Sequence, residues 1–217
     1  MKKCAIWLCA CASLMGCGGG SGVEFLGSVF VEPDETGAVE GVMELSRVDS
    51  SVGSFVYGYD TGLRALDFQD NATTADRANY AYSGVLPGAQ VGDIPLTGTA
   101  QFVGAYEVVT ISGYNASSNP ANWTEARDSG AMTVDVDFEE GQIDGRSDDG
   151  QLMISYFGTP TDDPATAALS SRLFGEVTFQ GIAGSFKGQI GGNGIIGAMN
   201  GQDDTSFFAG GFFAEDD

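Results

Sequence analysis

The sequence predicts an all-β protein: a soluble eight-stranded antiparallel up-and-down barrel with a smaller N-terminal strand-rich region. Three observations lead there. Apolar and polar residues alternate through several runs of the second half, the period-2 pattern of strands with one wet face. Turn residues separate those runs at short spacing. Glycine is abundant and proline sparse, 33 against 6, and helix-period runs are few.

The first element is a targeting segment, residues 1–16. Lys2 and Lys3 form a positive start, and residues 4–16 are apolar or small. Thirteen residues of helix would reach only about 20 Å, short of the roughly 30 Å of a bilayer core, so the segment reads as a signal peptide and not a membrane span. It ends Leu14-Met15-Gly16-Cys17, which resembles the lipobox of bacterial lipoproteins. That resemblance implies cleavage before Cys17 and acylation of Cys17 by diacylglycerol and a fatty acid such as palmitate. Several chains on one residue anchor durably, at about 0.8 kcal/mol per buried CH2. Residues 17–37 then read as the lipidated cysteine and a flexible linker opening Gly18-Gly19-Gly20-Ser21-Gly22. Gly18 stands where an Asp would favour inner-membrane retention, so the outer membrane is expected.

Residues 38–92 form the N-terminal strand-rich region, with candidate strands at Val42–Val48, Ser54–Tyr59, Leu63–Phe68 and Tyr80–Leu86. The polar stretch 69–79 reads as a loop. Residues 93–217 form the barrel domain. Its eight expected strands are 96–109, 130–138, 142–147, 150–157, 173–179, 182–190, 194–200 and 205–213. Met132, Val134, Val136 and Phe138 point one way; so do Leu173, Gly175, Val177 and Phe179, and then Ile182, Gly184, Phe186, Gly188 and Ile190. Glycines on these apolar faces (Gly98, Gly104, Gly175, Gly184, Gly188) let strands coil and leave room for neighbouring Phe. Gln180-Gly181 and Gly191-Gly192-Asn193-Gly194 are tight turns. Asp162-Asp163-Pro164 reads as a helix start leading into residues 165–173. Closing eight antiparallel strands removes exposed sheet edges. A membrane-spanning barrel would carry its apolar band outside between aromatic girdles, so a soluble barrel held by a lipid is the expectation.

The barrel half resembles the β-barrel domain of transferrin-binding protein B and related surface lipoproteins. The resemblance rests on PLTGTAQFVGAY, MTVDVDFEEGQIDG, GEVTFQGIAGSFKGQIGGNG and GAMNGQDDTSFFAGGFFAED, in that order over roughly residues 95–214. It implies an eight-stranded barrel beside a strand-rich handle, on a lipoprotein displayed at the cell surface. Large members of that family carry two such lobes and capture host iron proteins. This chain has one lobe's length, and no binding residue carries over.

Charge and composition limit the functions. With 9 basic and 30 acidic residues the net charge is −21; without residues 1–16 it is 7 basic against 30 acidic, or −23. Such a field argues against nucleic acid and against the body lying on anionic lipid. All four cysteines lie in the first 17 residues, so no disulfide is expected and a core must supply the stability. The chain has no histidine, which removes Ser-His-Asp triads and the usual zinc and haem ligand sets. Asp135-Val136-Asp137-Phe138-Glu139-Glu140-Gly141 superficially resembles a calcium loop, but Glu140 takes the slot where an EF-hand needs Gly; a solvated strand face is expected instead. No cofactor or metal is expected.

The expected function is non-enzymatic: an outer-membrane, surface-exposed, monomeric lipoprotein held in the membrane through Cys17. It would bind a protein or small ligand through inter-strand loops, the longest being 110–129 and 158–172. Tyr114 and Trp123 in the first are the candidate ligand-binding residues, with capping of the barrel mouth as Trp123's alternative role. Two other readings stand beside it: a small-ligand carrier using the lumen, and a hydrolase built on paired carboxylates.

Overall fold

The computed structural model describes residues 24–39, 42, 45–64, 77–115, 119–158 and 168–216. Twelve strands run through these residues: β1 (Glu24–Phe30), β2 (Ser46–Ser50), β3 (Gly53–Arg64), β4 (Arg77–Val85), β5 (Thr99–Ser112), β6 (Thr124–Asp137), β7 (Gln142–Ser147), β8 (Leu152–Phe157), β9 (Arg172–Phe179), β10 (Ile182–Gly191), β11 (Gly194–Gln202) and β12 (Ser206–Glu215). Each strand from β5 to β12 pairs antiparallel with the next, and β12 returns to β5, closing an eight-stranded up-and-down barrel. A separate four-stranded sheet has the order β1-β4-β3-β2. The all-β class, the barrel and the smaller sheet are as the sequence predicts.

Side chains fill the lumen. Phe102, Tyr106, Val108, Met132, Val134, Phe179, Phe186, Phe208 and Phe212 are all buried in one cluster. Their rings touch edge to face or tilted: Phe186 and Phe212 at 5.4 Å, Phe179 and Phe208 at 5.5 Å, Tyr106 and Phe179 at 6.0 Å. Burying one such side chain fully contributes about 1.5–3 kcal/mol. An eight-stranded barrel is only just wide enough inside for side chains, so large rings need a place to lie. The register supplies it by setting a glycine opposite the aromatic residue. Phe186 faces Gly175, Phe212 faces Gly197, Phe208 faces Gly201, and Tyr106 faces Gly130. A Cβ at Gly175 would lie 2.3 Å from the Phe186 ring, and one at Gly197 2.5 Å from that of Phe212.

Outside, the four-stranded sheet covers one wall. Phe207, Ala209 and Phe213 alternate outward on β12 with the inward Phe208 and Phe212. Phe207 and Ala209 are buried with Val109, Ile111 and Ile196 against Phe55, Tyr57 and Ala81 of the sheet, and Phe213 packs at the margin. The phenyl ring of Phe55 lies over Gly211, where a Cβ would come within 2.3 Å. Two hydroxyls satisfy barrel carbonyls across this seam: Ser83 Oγ donates to the Met199 carbonyl at 2.9 Å, and Ser28 Oγ to that of Gly201 at 3.1 Å. The sheet's other face buries Tyr80 and Tyr82 with Val31, against Val39, Val42 and Leu45.

Several boundaries differ from the sequence reading. β1 lies inside the stretch 17–37 expected as linker, because it pairs in parallel with β4, more than fifty residues away. The loop expected over 69–79 gives way by Arg77 to β4. The strand expected over Val42–Val48 is displaced to β2, since its partner is the start of β3 (Ser50 opposite Gly53). The loop 110–129 is shorter than expected: β5 continues to Ser112 and β6 begins at Thr124, because the two stay paired to their ends, with β12 beside β5 as far as Ser112. Leu96 and Gly98 precede β5, and Gly98 has φ +92°. Residues 168–171 are irregular and β9 begins at Arg172, so the expected helix does not run through them. Its start at Asp162-Asp163-Pro164 lies outside the described residues, as do residues 1–16, Cys17 and the end of Leu63–Phe68.

The lumen fit is testable at one pair. Gly197→Ala should destabilise the protein by about 1–3 kcal/mol, because the added methyl strikes the Phe212 ring. Phe212→Leu should offset part of that loss, giving a coupling of about 0.5–3 kcal/mol in a urea double-mutant cycle. Strict additivity would show that the two positions do not share the space.

Candidate functional site

The β5–β6 hairpin, whose β6 arm runs past the end of β7, carries both sequence-predicted site residues. Among the described residues of its tip is a 3-10 turn, Pro120–Asn122. Asn119 caps it, its side-chain oxygen accepting from the Ala121 N–H at 3.1 Å, and Pro120 occupies a position where no N–H is needed. Tyr114 and Trp123, at the two feet of the tip, come together with ring centroids 6.3 Å apart. Both also meet Phe207: Tyr114 at 5.6 Å, and Trp123 edge-on at 6.3 Å and 87°. Tyr59 of β3 reaches the same ring at 6.1 Å. The cluster therefore joins hairpin, barrel and outer sheet. Trp123 and Tyr114 are half-buried, with part of each ring on the surface.

A turn next to the cluster fixes its floor. The Asp203 carboxylate accepts from the N–H groups of Thr205 and Ser206 at 2.7 and 2.8 Å and from the Thr205 hydroxyl at 2.9 Å. These bonds, the Thr205 N–H foremost, hold its pKa below the usual carboxylate value. The Tyr114 hydroxyl donates to the Asp203 carbonyl. Burial, with the nearby Asp203 and Asp204 charges, pushes the Tyr114 pKa up.

The hairpin is pinned on both faces. On the outward face, Arg127 Nη1 donates to Ser46 Oγ at 2.8 Å, and Arg127 Nε pairs with Glu125 at 3.0 Å. The Arg127 guanidinium lies 5.8 Å from the Tyr57 ring centroid. The Tyr57 hydroxyl donates to Glu107 Oε2 at 2.7 Å. Burial and then the Glu107 carboxylate push the Tyr57 pKa up to about 12. On the inward face Asp128 accepts from Gln180 Nε2 at 3.0 Å, and Gln180 also donates to Gln151 at 2.6 Å. Gln180 belongs to the two-residue β9–β10 turn with Gly181, at φ +48° and +84°. Left-handed backbone at both positions is what a hairpin turn of this length needs. Behind it, the Tyr106 hydroxyl donates to Asp149 at 3.1 Å, and burial with that carboxylate raises its pKa to about 12.

The sequence expectation named Tyr114 and Trp123 but not the residues packed and bonded around the hairpin. Tyr57, Glu107, Arg127 and Phe207 are scattered over four strands, and only the register joins them. Phe207 carried a signal, as an apolar residue alternating with the inward Phe208 and Phe212. Cys17, the lipidation candidate, lies outside the described residues. Among the described residues, no group of three or more Cys, His, Asp or Glu is placed to hold a metal.

No family model and no curated protein sequence matches the chain. Among solved structures it is similar to transferrin-binding protein B. A mutant from Actinobacillus pleuropneumoniae H49 aligns with a TM-score of 0.47 and 11% identity, over 79% of this chain and 80% of that one. A double mutant from Haemophilus parasuis Hp5 gives 0.43 and 12%, over 79% and 36%. The isotype 1 protein of serogroup B Neisseria meningitidis gives 0.41 and 12%, over 82% and 36%. The chain thus spans about a third of the length of the latter two structures.

The buried phenols make the assembly sensitive to alkali. A tyrosine whose pKa rises from about 10 to about 12 on folding adds stability that is complete below pH 10 and is lost as the pH climbs toward 12. Urea midpoints of the wild type should therefore fall between pH 10 and pH 12. Tyr57→Phe should flatten part of that fall and Tyr106→Phe another part, and a slope unchanged in both variants would place the alkaline loss elsewhere.

Proposed function

We propose that the chain is a lipid-anchored, non-enzymatic binding protein of the outer membrane, displayed at the cell surface, which contacts a macromolecular partner through the β5–β6 hairpin. The observation that carries this reading is the hairpin itself: its β6 arm runs past the end of β7, it is pinned on both faces, and it keeps part of Tyr114 and Trp123 at the surface. An aromatic surface already held in place binds without first losing loop entropy. Aromatic residues are also common anchors of protein interfaces.

The lumen supports this reading over the carrier. Rings at 5.4–6.0 Å occupy it, so a small molecule entering there would displace core. The hydrolase reading needs two carboxylates converging in a cleft and free to act. Asp135, Asp144 and Glu176 line an open groove of about 360 Å³ on the outer wall, but the Asp135 and Asp144 carboxylates are held by the Gln101 and Gln142 amides. The lipobox at Leu14–Cys17 supports the anchor. Likeness to transferrin-binding protein B makes a host protein one candidate partner, and transferrin itself is not assigned.

Two measurements test the reading. Labelled palmitate should enter the wild type and not Cys17→Ala, and protease added to intact cells should cleave the chain. Equal labelling of both would remove the anchor, while protection until the outer membrane is breached would place the protein on the periplasmic side. For the hairpin, capture of a partner should fail with Trp123→Ala and persist with Trp123→Phe. The melting temperature should fall by only a few degrees, about 2–4 °C per kcal/mol for a chain of this size. Undiminished capture by Trp123→Ala would move the contact off the hairpin.

A further inference from the structure

The barrel wall turned away from the four-stranded sheet carries a second, unexplained surface. On β8 the residues Leu152, Ile154 and Tyr156 point into the lumen, so Met153, Ser155 and Phe157 point out. Phe157 is 71% exposed and Met153 54%. On β9 the outward Phe174 is 62% exposed. Ser155 pairs with Glu176, the last pair of the β8–β9 ladder; Phe157 and Phe174 stand two residues beyond it on these adjacent strands, opposite Gln142 and Lys187 on their other sides. Solvent-facing positions on a half-wet barrel normally carry polar side chains, and two neighbouring exposed phenyl rings are the kind of patch that marks an interaction surface.

The same wall carries a second departure of a different kind. Asp135 on β6 stands directly opposite Asp144 on β7, and Asp144 opposite Ser155. Like charges facing each other across strands destabilise a sheet. Each is steadied by a neighbouring amide, Gln101 donating to Asp135 at 2.7 Å and Gln142 to Asp144 at 2.5 Å, but neither amide brings positive charge. With Glu176 they place three carboxylates in a groove that Met153 also lines, against one positive charge, that of Arg146. The small Ser155 between Met153 and Phe157 makes the floor of the notch.

We infer that this wall, formed by β6 to β9, is a docking face for a basic, amphipathic polypeptide segment, with lysine or arginine side chains set among the carboxylates and an apolar side chain covering Phe157 and Phe174. Such a segment relieves both departures at once. Neutral partners would leave the facing carboxylates unrelieved, and an acidic one, a second copy of this chain at −21 included, would add to the repulsion. The inference rests on the reading of the chain as a binding protein and adds a second face and the chemistry of its partner.

The test uses the full-length chain and three synthetic peptides of equal length: alternating Lys and Leu, alternating Lys and Ser, and alternating Glu and Leu. Fluorescence anisotropy should show the Lys/Leu peptide binding at least ten-fold more tightly than the Lys/Ser peptide, and no binding of the Glu/Leu peptide. The double substitution F157S/F174S should reduce Lys/Leu binding to the Lys/Ser level. D144N/E176Q should weaken it about ten-fold and lower its salt dependence. All these positions are at the surface, so melting temperatures should stay near that of the wild type. Equal binding of the Lys/Leu and Lys/Ser peptides would overturn the inference, reducing the effect to net charge; so would full Lys/Leu binding by F157S/F174S. Binding of phosphatidylcholine vesicles lost in F157S/F174S would reassign the rings to lipid, and a dimer lost in the same variant would reassign them to a second copy. Trp123→Ala should leave peptide binding unchanged, so failure at the wall and failure at the hairpin are read separately.

Discussion

The structure depends first on how aromatic rings are fitted into a barrel only just wide enough for side chains. Eight strands enclose a lumen that side chains must fill completely, since a void there would forfeit contact on one side and an extra methyl would force the strands apart. The solution is set by register. Phe186, Phe208, Phe212 and Tyr106 each lie across from a glycine on the neighbouring strand, and each ring occupies the volume that a side chain there would have taken. The rings then meet one another in tilted and edge-on geometry. Because a slip of one residue would turn every inward ring outward, this pairing also fixes the register of the strands.

The outer sheet is attached by the same device. Phe55 lies over Gly211 on the outside of β12, as Phe212 lies over Gly197 on the inside of β11. One strand, β12, thus carries alternating residues for two cores: Phe208 and Phe212 inward, Phe207 and Phe213 outward. Phe207 then has a further role. It is the common neighbour of Tyr59, Tyr114 and Trp123, so the sheet that covers the wall also steadies the end of the hairpin. The hairpin is ordered by the barrel's packing more than by its own sequence.

That dependence explains what could be read from the sequence. The lumen strands were legible because one face of each is apolar, glycine included. The first part of β6, Thr124–Ser129, was not: Thr124, Glu125, Ala126 and Arg127 are all exposed, so no apolar alternation marks the strand although the pairing with β5 continues. β1 escaped for another reason. Its partner β4 is distant in sequence and parallel, and no turn signal announces such a pairing. Trp123 and Tyr114 were legible as aromatic residues in a polar stretch. What they touch was not, because Phe207 and the Asp203 carbonyl reach them only through the pairing of β12 with β5.

The two sides of the barrel use their outward positions in opposite ways. Where the sheet covers it, the wall is apolar, with Val109, Ile111, Ile196 and Ala209 buried, and hydroxyls from Ser28 and Ser83 satisfy the carbonyls at the seam. On the uncovered side the same alternation should give a uniformly polar face, and β6, β7 and β9 largely do so with Thr133, Asp135, Asp144, Arg146, Glu176 and Thr178. Met153, Phe157 and Phe174 break it. Packing cannot account for them, since their side chains point away from the lumen that orders the rest of the barrel. Nor does solubility account for them, which the acidic residues alone would serve. A fold that spends its register so strictly on placing aromatic rings inside leaves three large apolar side chains on its one bare wall, beside carboxylates that repel each other across the strands. Both features lie bare in the free protein, and both would be relieved by the same cover.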